Sequence, residues 1–396
     1  MEKIKEIILS FFELTFKVIL APKVKVLFYY PQHFNRSAEG TNPFFNSLLE
    51  TCDRHNISYK LIEEPDWATD KPRNRKAIKG DFLFVLILVL RKIIGHIHKS
   101  NSFAKNDRIV ARYLNILTFG QLRFSKYISI SGSMEALFLY LTKDSEIFEV
   151  QHGIIYSNKA SYFNYGELNE AYRLERWHLL SFGEGYRDCV IRGHEEELSL
   201  RVHVIGCPLT LTSDNVMNNL DFRKDILFSL QFTHDWELDV LIAVKELLAD
   251  TLEQLSNSGR TVLLKHHPRY NSCISLDDIY SRFGFVKETQ ESLAELQKHT
   301  FLHITLNSTT AFEFAAAGIP SYFMRYENGD SVVPCQNLFY YEYKYPLFES
   351  LSIAETLEYL SYTKNYEEVS LTVKKWYSHF YSAYDEEAIL HLIEIK

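Results

Sequence analysis

The chain alternates between short apolar runs and longer segments with apolar positions every three to four residues. Runs rich in β-branched and aromatic residues predict strands, and the amphipathic segments between them predict helices. Strands are predicted at 23–30, 57–62, 127–131, 146–150, 179–182 and 202–205, and then, after a turn-rich segment at 206–223, at 225–230, 261–264, 283–287 and 302–306. This alternation predicts an α/β protein whose parallel sheets carry helices on both faces.

The two runs of strands predict two Rossmann-like, doubly wound domains that face a cleft, followed by C-terminal helices. The first domain is predicted at 23–208 and the second at 225–375, with a linker at 209–224. Residues 1–22 predict an amphipathic helix, and 376–396 predict a C-terminal helix whose return to the first domain is left open. Ligands of doubly wound sheets bind beyond the carboxyl ends of the strands, so candidate residues are sought there.

Composition is that of an ordinary globular protein. Of 396 residues, 46% are apolar and 24% are charged, which excludes disordered and fibrous chains. The five cysteines are scattered and form no pattern with each other or with histidine. A disulfide framework and a structural zinc site are therefore not expected, and a cytoplasmic location is favoured.

Charge is distributed unevenly along the chain. Residues 1–130 carry 21 Lys and Arg against 12 Asp and Glu, whereas the whole chain has a net charge of −8. The basic part predicts an anionic partner, and without a nucleic-acid-binding motif that partner is expected to be a membrane surface. Residues 3–20 either pack on the first domain or lie at the membrane interface. The apolar run 82–90 is too short to cross a bilayer and is predicted to be a buried helix or strand.

Two strand ends in the second domain carry groups that bind phosphate. The strand at 261–264 runs into Lys265, His266, His267, Pro268 and Arg269, a turn that is either phosphate-binding or simply solvated. The strand at 302–306 runs into a polar segment that either caps the next helix or binds an anion at its start, namely Asn307, Ser308, Thr309 and Thr310. Glu313, one turn into that helix, is expected to accept a hydrogen bond from a ribose hydroxyl. Together these residues predict a nucleotide pocket.

The first domain carries a histidine at a strand end. His152 follows the strand at 146–150, between Gln151 and Gly153, and is expected to act as a general base or else to pack beneath the next loop. An early loop is expected to contact the acceptor or the donor through Arg36, Glu39, Gly40 and Asn42, and Gln151 and Gly153 are expected to line the same cleft. The tripeptide 183–185 is interpreted as a turn.

Several common sites are excluded by their missing motifs. The sequence contains no GxGxxG after the first strand, no GxxxxGK[ST] and no GxSxG. It also lacks an Asp-x-Asp pair, so neither a metal ion nor another cofactor is expected.

Taken together, these motifs resemble those of the bacterial surface-polysaccharide transferases with the GT-B fold. That group includes the capsule Kdo-transferase, the bacterial polysialyltransferase and the CDP-glycerol glycerophosphotransferases. The resemblance rests on short segments: Gln151-His152-Gly153, His267-Pro268, Ser308-Thr309-Thr310 with Glu313, Gly318-Ile319-Pro320, and residues 180–208. It implies that His267 and Ser308–Thr310 bind the donor nucleotide and that His152 is the base.

The resemblance implies metal-independent transfer of a sugar from a nucleotide donor to a glycan or lipid-linked acceptor. The donor is expected to be of the CMP-Kdo or CMP-sialic acid type, with CDP-glycerol as an alternative. The expected location is the cytoplasm, peripheral at the inner face of the membrane. A sugar-nucleotide 2-epimerase and a non-catalytic assembly partner remain as alternatives.

Overall fold

A computed structural model gives the fold of the chain. It describes all residues except 1, 100–102, 132–133, 158–161, 165–166, 169, 210–222, 234–235, 271, 326–337, 347–350 and 395–396. The chain divides into two compact units, one formed by Met1–Thr210 with Tyr381–Lys396 and the other by Leu211–Phe380. Most of the predicted linker lies outside the described residues.

The first unit is built on a parallel sheet of seven strands in the order β3-β2-β1-β4-β5-β8-β9. The strands of this sheet are β1 (Val26–Pro31), β2 (Tyr59–Glu64), β3 (Ile78–Lys79), β4 (Lys126–Ser129), β5 (Glu146–Val150), β8 (Trp177–Ser181) and β9 (Val202–Val204). A separate antiparallel pair is formed by β6 (Phe163–Asn164) and β7 (Glu167–Leu168). Every residue of β1 is buried, as expected for a central strand covered on both faces.

Helices of the first unit alternate with these strands. They are α1 (Glu2–Leu14), α2 (Pro43–Arg54), α3 (Asp81–His98), α4 (Phe103–Leu117), α5 (Glu135–Phe138), α6 (Glu184–Ile191), α7 (Glu195–Leu198) and α14 (Glu386–Glu394). A π-helical turn at Thr15–Ile19 extends α1. The start of α2 is fixed by Asn42, whose side chain accepts from the Phe44 N–H at 3.0 Å, and by Pro43 in the first helical position.

The second unit repeats the strand order in a parallel five-stranded sheet, β12-β11-β10-β13-β14. Its strands are β10 (Asp225–Ser229), β11 (Val262–Lys265), β12 (Val286–Glu288), β13 (Thr300–Thr305) and β14 (Ser321–Phe323). Its helices are α8 (Leu238–Leu255), α9 (Asp277–Arg282), α10 (Leu293–Leu296), α11 (Thr310–Ala316), α12 (Ile353–Ser361) and α13 (Thr363–Phe380). The α/β class and the parallel sheets predicted from the sequence are confirmed.

Three local predictions are wrong. The run 82–90 lies in α3 but is not core, because Leu88 and Val89 are 42% and 47% exposed. Residues 183–185 are not a turn, since Gly183 is extended and precedes α6. Residues 376–396 are not one helix: α13 ends at Phe380 and α14 begins at Glu386.

No helix in the described part of the chain is long and apolar enough to cross a membrane.

Candidate functional site

The carboxyl ends of three adjacent strands in the second unit carry the predicted donor motifs. Ser229, the last residue of β10, is in register with Lys265 of β11 on one side and with Thr305 of β13 on the other. The loops that follow therefore leave the sheet side by side. Strand order reverses between β10 and β13, and such switch points are where doubly wound sheets bind ligands.

The basic turn after β11 is ordered by its own contacts. Lys265 Nζ donates to the Glu291 carbonyl at 2.5 Å. The His266 ring stacks on Tyr270 at 3.9 Å, and burial lowers the pKa of His266. His267 Nδ1 accepts from the Arg269 backbone N–H at 3.1 Å, so in the neutral ring the proton lies on Nε2. His267 thus presents a donor at Nε2.

The polar segment after β13 forms a hydroxyl cluster at the same edge. Thr310 Oγ1 lies 2.9 Å from Ser308 Oγ and 3.1 Å from Ser229 Oγ. Thr309 is exposed, and its side chain does not cap α11. The Asn307 N–H donates to Gln231 Oε1 at 3.2 Å, which ties the loop after β13 to the loop after β10.

A buried histidine that the sequence analysis did not single out lies beneath this cluster. His303 of β13 is fully buried, with Nε2 2.9 Å from Ser229 Oγ and 3.3 Å from Thr310 Oγ1. Its Nδ1 lies 2.8 Å from Ser321 Oγ of β14, and its ring stacks on Phe314 at 4.6 Å. Burial lowers the pKa of His303 to about 3, so the ring is neutral at pH 7. One neutral imidazole therefore links β10, β13, β14 and α11.

Glu313 lies near the start of the same helix. The residue is half-buried, but its Oε2 atom is inaccessible and has no hydrogen-bond partner among the described residues. Burial raises the pKa of this carboxyl to about 7. Because α11 has only seven residues, an anion bound at this edge would depend on hydroxyl and N–H groups rather than on a helix dipole.

In the first unit, His152 lies beyond the carboxyl end of β5 among aromatic rings. Its ring meets Phe34 edge-on at 5.7 Å and stacks on Tyr162 at 6.2 Å. The preceding Gln151 is fully buried: its Oε1 accepts from the Phe182 N–H at 2.8 Å, and its Nε2 donates to the Gly153 carbonyl at 2.7 Å. Gln151 thus holds the strand end in shape, and His152 stays half-exposed.

Another buried acid close to His152 in sequence was missed. Glu149 of β5 accepts hydrogen bonds from the Tyr172 hydroxyl and from Trp177 Nε1. Burial raises the pKa of Glu149 to about 7, although both hydrogen bonds oppose the shift. The Tyr172 ring lies 5.7 Å from Tyr162, which in turn stacks on His152, so a continuous aromatic and acidic cluster underlies the predicted base.

The early loop divides into structural and exposed residues. Gly40 has a φ of +74°, and a Cβ there would lie 2.3 Å from the Arg73 carbonyl oxygen. Asn42 caps α2, and it also lines a cavity of about 400 Å³ in this unit with Tyr30 and Lys60. Arg36 and Glu39 are exposed, and a ligand contact by either stays a prediction.

Among the described residues, no group of three histidine, cysteine or acidic side chains is arranged to hold a metal ion.

No family model and no curated protein matches the chain. Among solved structures, a variant of the wall teichoic acid polymerase TagF is 14% identical with a TM-score of 0.49, over 99% of this chain and 94% of that one. The UDP-GlcNAc 2-epimerase from Methanocaldococcus jannaschii is 11% identical with a TM-score of 0.49, over 93% of this chain and 99% of that one. The Neisseria meningitidis enzyme bound to UDP-GlcNAc is 12% identical with a TM-score of 0.49, over 92% and 98%. These similarities are too weak to assign a reaction to this chain.

Proposed function

We propose that this protein is a GT-B glycosyltransferase that moves a sugar from a nucleotide-activated donor to a hydroxyl of a glycan or lipid-linked acceptor in bacterial surface polysaccharide synthesis. The observation that carries the proposal is the shared edge of β11, β10 and β13. The basic turn and the hydroxyl cluster both start there, on strands held in register through Ser229.

The donor nucleotide would bind at this edge through its phosphate. His267 carries a donor at Nε2, and Arg269 is exposed beside it. The exposed Thr309 side chain makes no capping hydrogen bond to α11. Charge-assisted hydrogen bonds from such groups are the strong contacts to phosphate. They would also stabilise the negative charge that develops on the leaving phosphate, which is the work a metal ion does in other transferases. The reaction would then need neither a metal nor another cofactor.

The acceptor hydroxyl would be deprotonated by His152. An imidazole titrates near neutral pH and suits a general base. The aromatic rings of Phe34 and Tyr162 flank His152 and would orient its ring. Glu313 is half-buried near the start of α11, and its carboxyl would accept a hydrogen bond from the ribose of the donor.

We further propose a CMP-linked donor of the Kdo or sialic acid type, with CDP-glycerol as the alternative. The protein would work in the cytoplasm at the inner face of the membrane, where a lipid-linked acceptor is held. Nucleic acid is not a partner in this proposal.

The test is nucleotide binding followed by transfer. The melting temperature of the purified chain is measured with CMP, CDP, UDP, GDP and dTDP, since a bound ligand stabilises the folded state by mass action. A shift with CMP or CDP supports a cytidine donor, and a response only to UDP, GDP or dTDP overturns the choice of donor. Because transfer of glycerophosphate from CDP-glycerol releases CMP, as transfer of a CMP-linked sugar does, turnover of the two donors themselves decides between them. A folded protein that responds to none of the five overturns the enzyme proposal in favour of an assembly partner.

Two variants separate binding from chemistry. His267→Ala should weaken nucleotide binding about tenfold or more, since a charge-assisted contact is worth about 1.5–3 kcal/mol. His152→Ala should leave binding unchanged and abolish transfer. His379→Ala, an exposed histidine of α13, is the control and should change neither. Full transfer by both His152→Ala and His267→Ala contradicts the mechanism, and conversion of the donor without any acceptor identifies an epimerase.

A further inference from the structure

Exposed apolar side chains are concentrated in one part of the first unit. Of the 23 large apolar side chains that the described residues leave exposed, 16 lie between Ile4 and Phe119. They lie on or next to three helices: α1 with its π-helical extension, α3 and α4. The remaining seven are scattered over the rest of the chain, as single exposed apolar residues usually are. A concentrated patch instead indicates an interaction surface.

The three helices form one continuous surface. Helix α1 packs on α3, and α3 packs on α4. The Phe11 ring of α1 meets the Phe82 ring of α3 at 5.0 Å. Ser10 fixes the junction, because its hydroxyl donates to the Lys79 carbonyl at 2.6 Å and accepts from the Phe82 N–H at 2.9 Å.

The outward faces of these helices are apolar at regular spacing. In α1 and its extension, Ile4, Ile8, Phe12 and Phe16 recur every four residues and are 51% to 63% exposed. Leu14 and Val18 of the same segment are buried against the unit. The segment is therefore docked on one side and leaves an apolar stripe on the other. In α3, Val89, Ile93 and Ile97 repeat this spacing and are 47% to 65% exposed.

Charge on this surface is positive because its acids are already paired. Glu6 pairs with Lys79, Glu13 with Lys17, Asp81 with Arg73, and Asp107 with Arg91. These are the acids of the three helices whose side chains the structure describes. The exposed basic residues around the apolar stripes are Lys3, Lys5, Lys92, Lys99, Arg108 and Arg112.

We propose that the outward face of α1, α3 and α4 is a docking surface for an anionic lipid bilayer. Apolar residues would enter the boundary between headgroups and acyl chains, and the basic residues would contact lipid phosphates. Trp67, whose ring lies 5.5 Å from Lys3 Nζ, has the amphipathic character of residues at membrane interfaces. A second copy of the chain is a poorer occupant, because a symmetric dimer would bring the same lysines and arginines together. The membrane is the partner named in the proposed function, whereas the surface is inferred from the contacts above.

Vesicle cosedimentation of the full chain tests this proposal without any nucleotide, so its outcome is independent of the enzyme proposal. We use vesicles of phosphatidylcholine alone and vesicles with about 30% phosphatidylglycerol. Binding to the anionic vesicles should be at least about tenfold tighter and should weaken with added salt. Equal or absent binding to both kinds of vesicle overturns the proposal.

Matched substitutions locate the surface. Phe16→Glu with Ile116→Glu changes two side chains of the face, which are 63% and 70% exposed. Leu238→Glu with Leu371→Glu changes two side chains of the second unit, which are 61% and 69% exposed, by the same charge. The first pair should lower vesicle binding about tenfold or more, and the control pair should leave it within about twofold.

Two outcomes would assign the face differently. If both pairs bind vesicles equally well, the three-helix face is not the docking surface. If light scattering without lipid shows a concentration-dependent dimer that the Phe16→Glu and Ile116→Glu pair abolishes, the occupant is a second copy of the chain. An unchanged circular dichroism spectrum and cooperative thermal unfolding, both measured without nucleotide, show that each variant is folded.

Discussion

Replacement of His303 by leucine tests how the hydroxyl cluster of the second unit is held. The imidazole is fully buried and lies within hydrogen-bond distance of Ser321, Ser229 and Thr310. Leucine fills a similar volume but offers no polar atom. The hydroxyl groups of Ser321, Ser229 and Thr310 are unchanged in this variant, but they lose the imidazole to which all three are hydrogen-bonded.

The expected loss of stability at pH 7 is modest. Each neutral hydrogen bond contributes about 1 kcal/mol net, and the imidazole makes two or three of them. Leucine recovers part of this through its greater apolar surface. We expect His303→Leu to lower the free energy of unfolding by about 1–3 kcal/mol at pH 7.

The pH dependence of this difference is the sharper test. The pKa of His303 falls from 6.5 to about 3 in the folded protein. Between these values the unfolded chain binds a proton that the folded protein does not, so the wild type loses stability as pH falls through this window. Each pH unit below 6.5 lowers the free energy of unfolding of the wild type by about 1.4 kcal/mol. At about pH 4.5 the loss amounts to about 2–3 kcal/mol. The leucine variant does not suffer this loss.

The assay is urea unfolding of wild type and variant at pH 7 and at about pH 4.5, followed by tryptophan fluorescence. All other titrating groups are common to both proteins, so their contributions cancel in the difference. The wild type should be more stable at pH 7 and should lose that advantage at the lower pH. Ser321→Ala, which keeps the imidazole, should differ from wild type equally at both values. If the difference between wild type and His303→Leu is the same at both, His303 is not held neutral by burial.

Two further predictions concern the backbone and a buried acid. Gly318 and Gly259 both have φ near +70°, but a Cβ at Gly318 would lie 2.3 Å from Ser370 Oγ, whereas at Gly259 nothing lies within 4 Å. In urea unfolding Gly259→Ala should cost about 1–2 kcal/mol, from backbone strain alone, and Gly318→Ala should cost more; equal losses would contradict the close contact. Burial raises the pKa of Glu149 from 4.5 to about 7, so the folded protein holds the extra proton and wild-type stability falls as pH rises through this window. In thermal unfolding the wild type should therefore lose stability relative to Glu149→Gln as pH rises from about 4.5 to about 7, since Glu313 and His303 titrate equally in both proteins; a stability difference that does not change with pH would contradict the raised pKa.

Sequence patterns predicted the strands well because central strands of parallel sheets are buried on both faces. Such strands are mostly apolar, as in β1, and every residue of both β1 and β13 is buried. All ten predicted strands are present within three residues of their predicted bounds. The short strands β3, β6, β7 and β14 were missed, since two or three residues carry too little pattern.

The apolar run in α3 shows where the same reasoning fails. An element that is apolar all round is ordinarily buried, and that rule predicts a core position for residues 82–90. In the fold, Leu83 and Ile87 face the protein while Leu88 and Val89 face outward. The sequence shows that a helix face is apolar but not which part of the protein covers that face. An interaction surface and a core-facing surface therefore have the same sequence pattern.

For a related reason, the sequence predicted the site residues that follow the strands but not those that lie within the strands. His267, Ser308 and Thr310 follow strands directly, and the rule that ligands bind beyond strand ends points to them. His303 and Ser229 lie inside apolar runs, and a single polar residue in such a run does not by itself indicate a functional site. Only the pairing of β10 with β13 shows that these two polar side chains meet, 2.9 Å apart, beneath the hydroxyl cluster. A polar residue in the middle of a buried strand must find a partner there, because an unpaired one would cost about 1–3 kcal/mol. A polar residue inside a buried strand therefore indicates that a polar group of a neighbouring strand lies beside it. In this protein His303 indicates Ser229, which ends β10 at the edge where we propose that the donor phosphate binds.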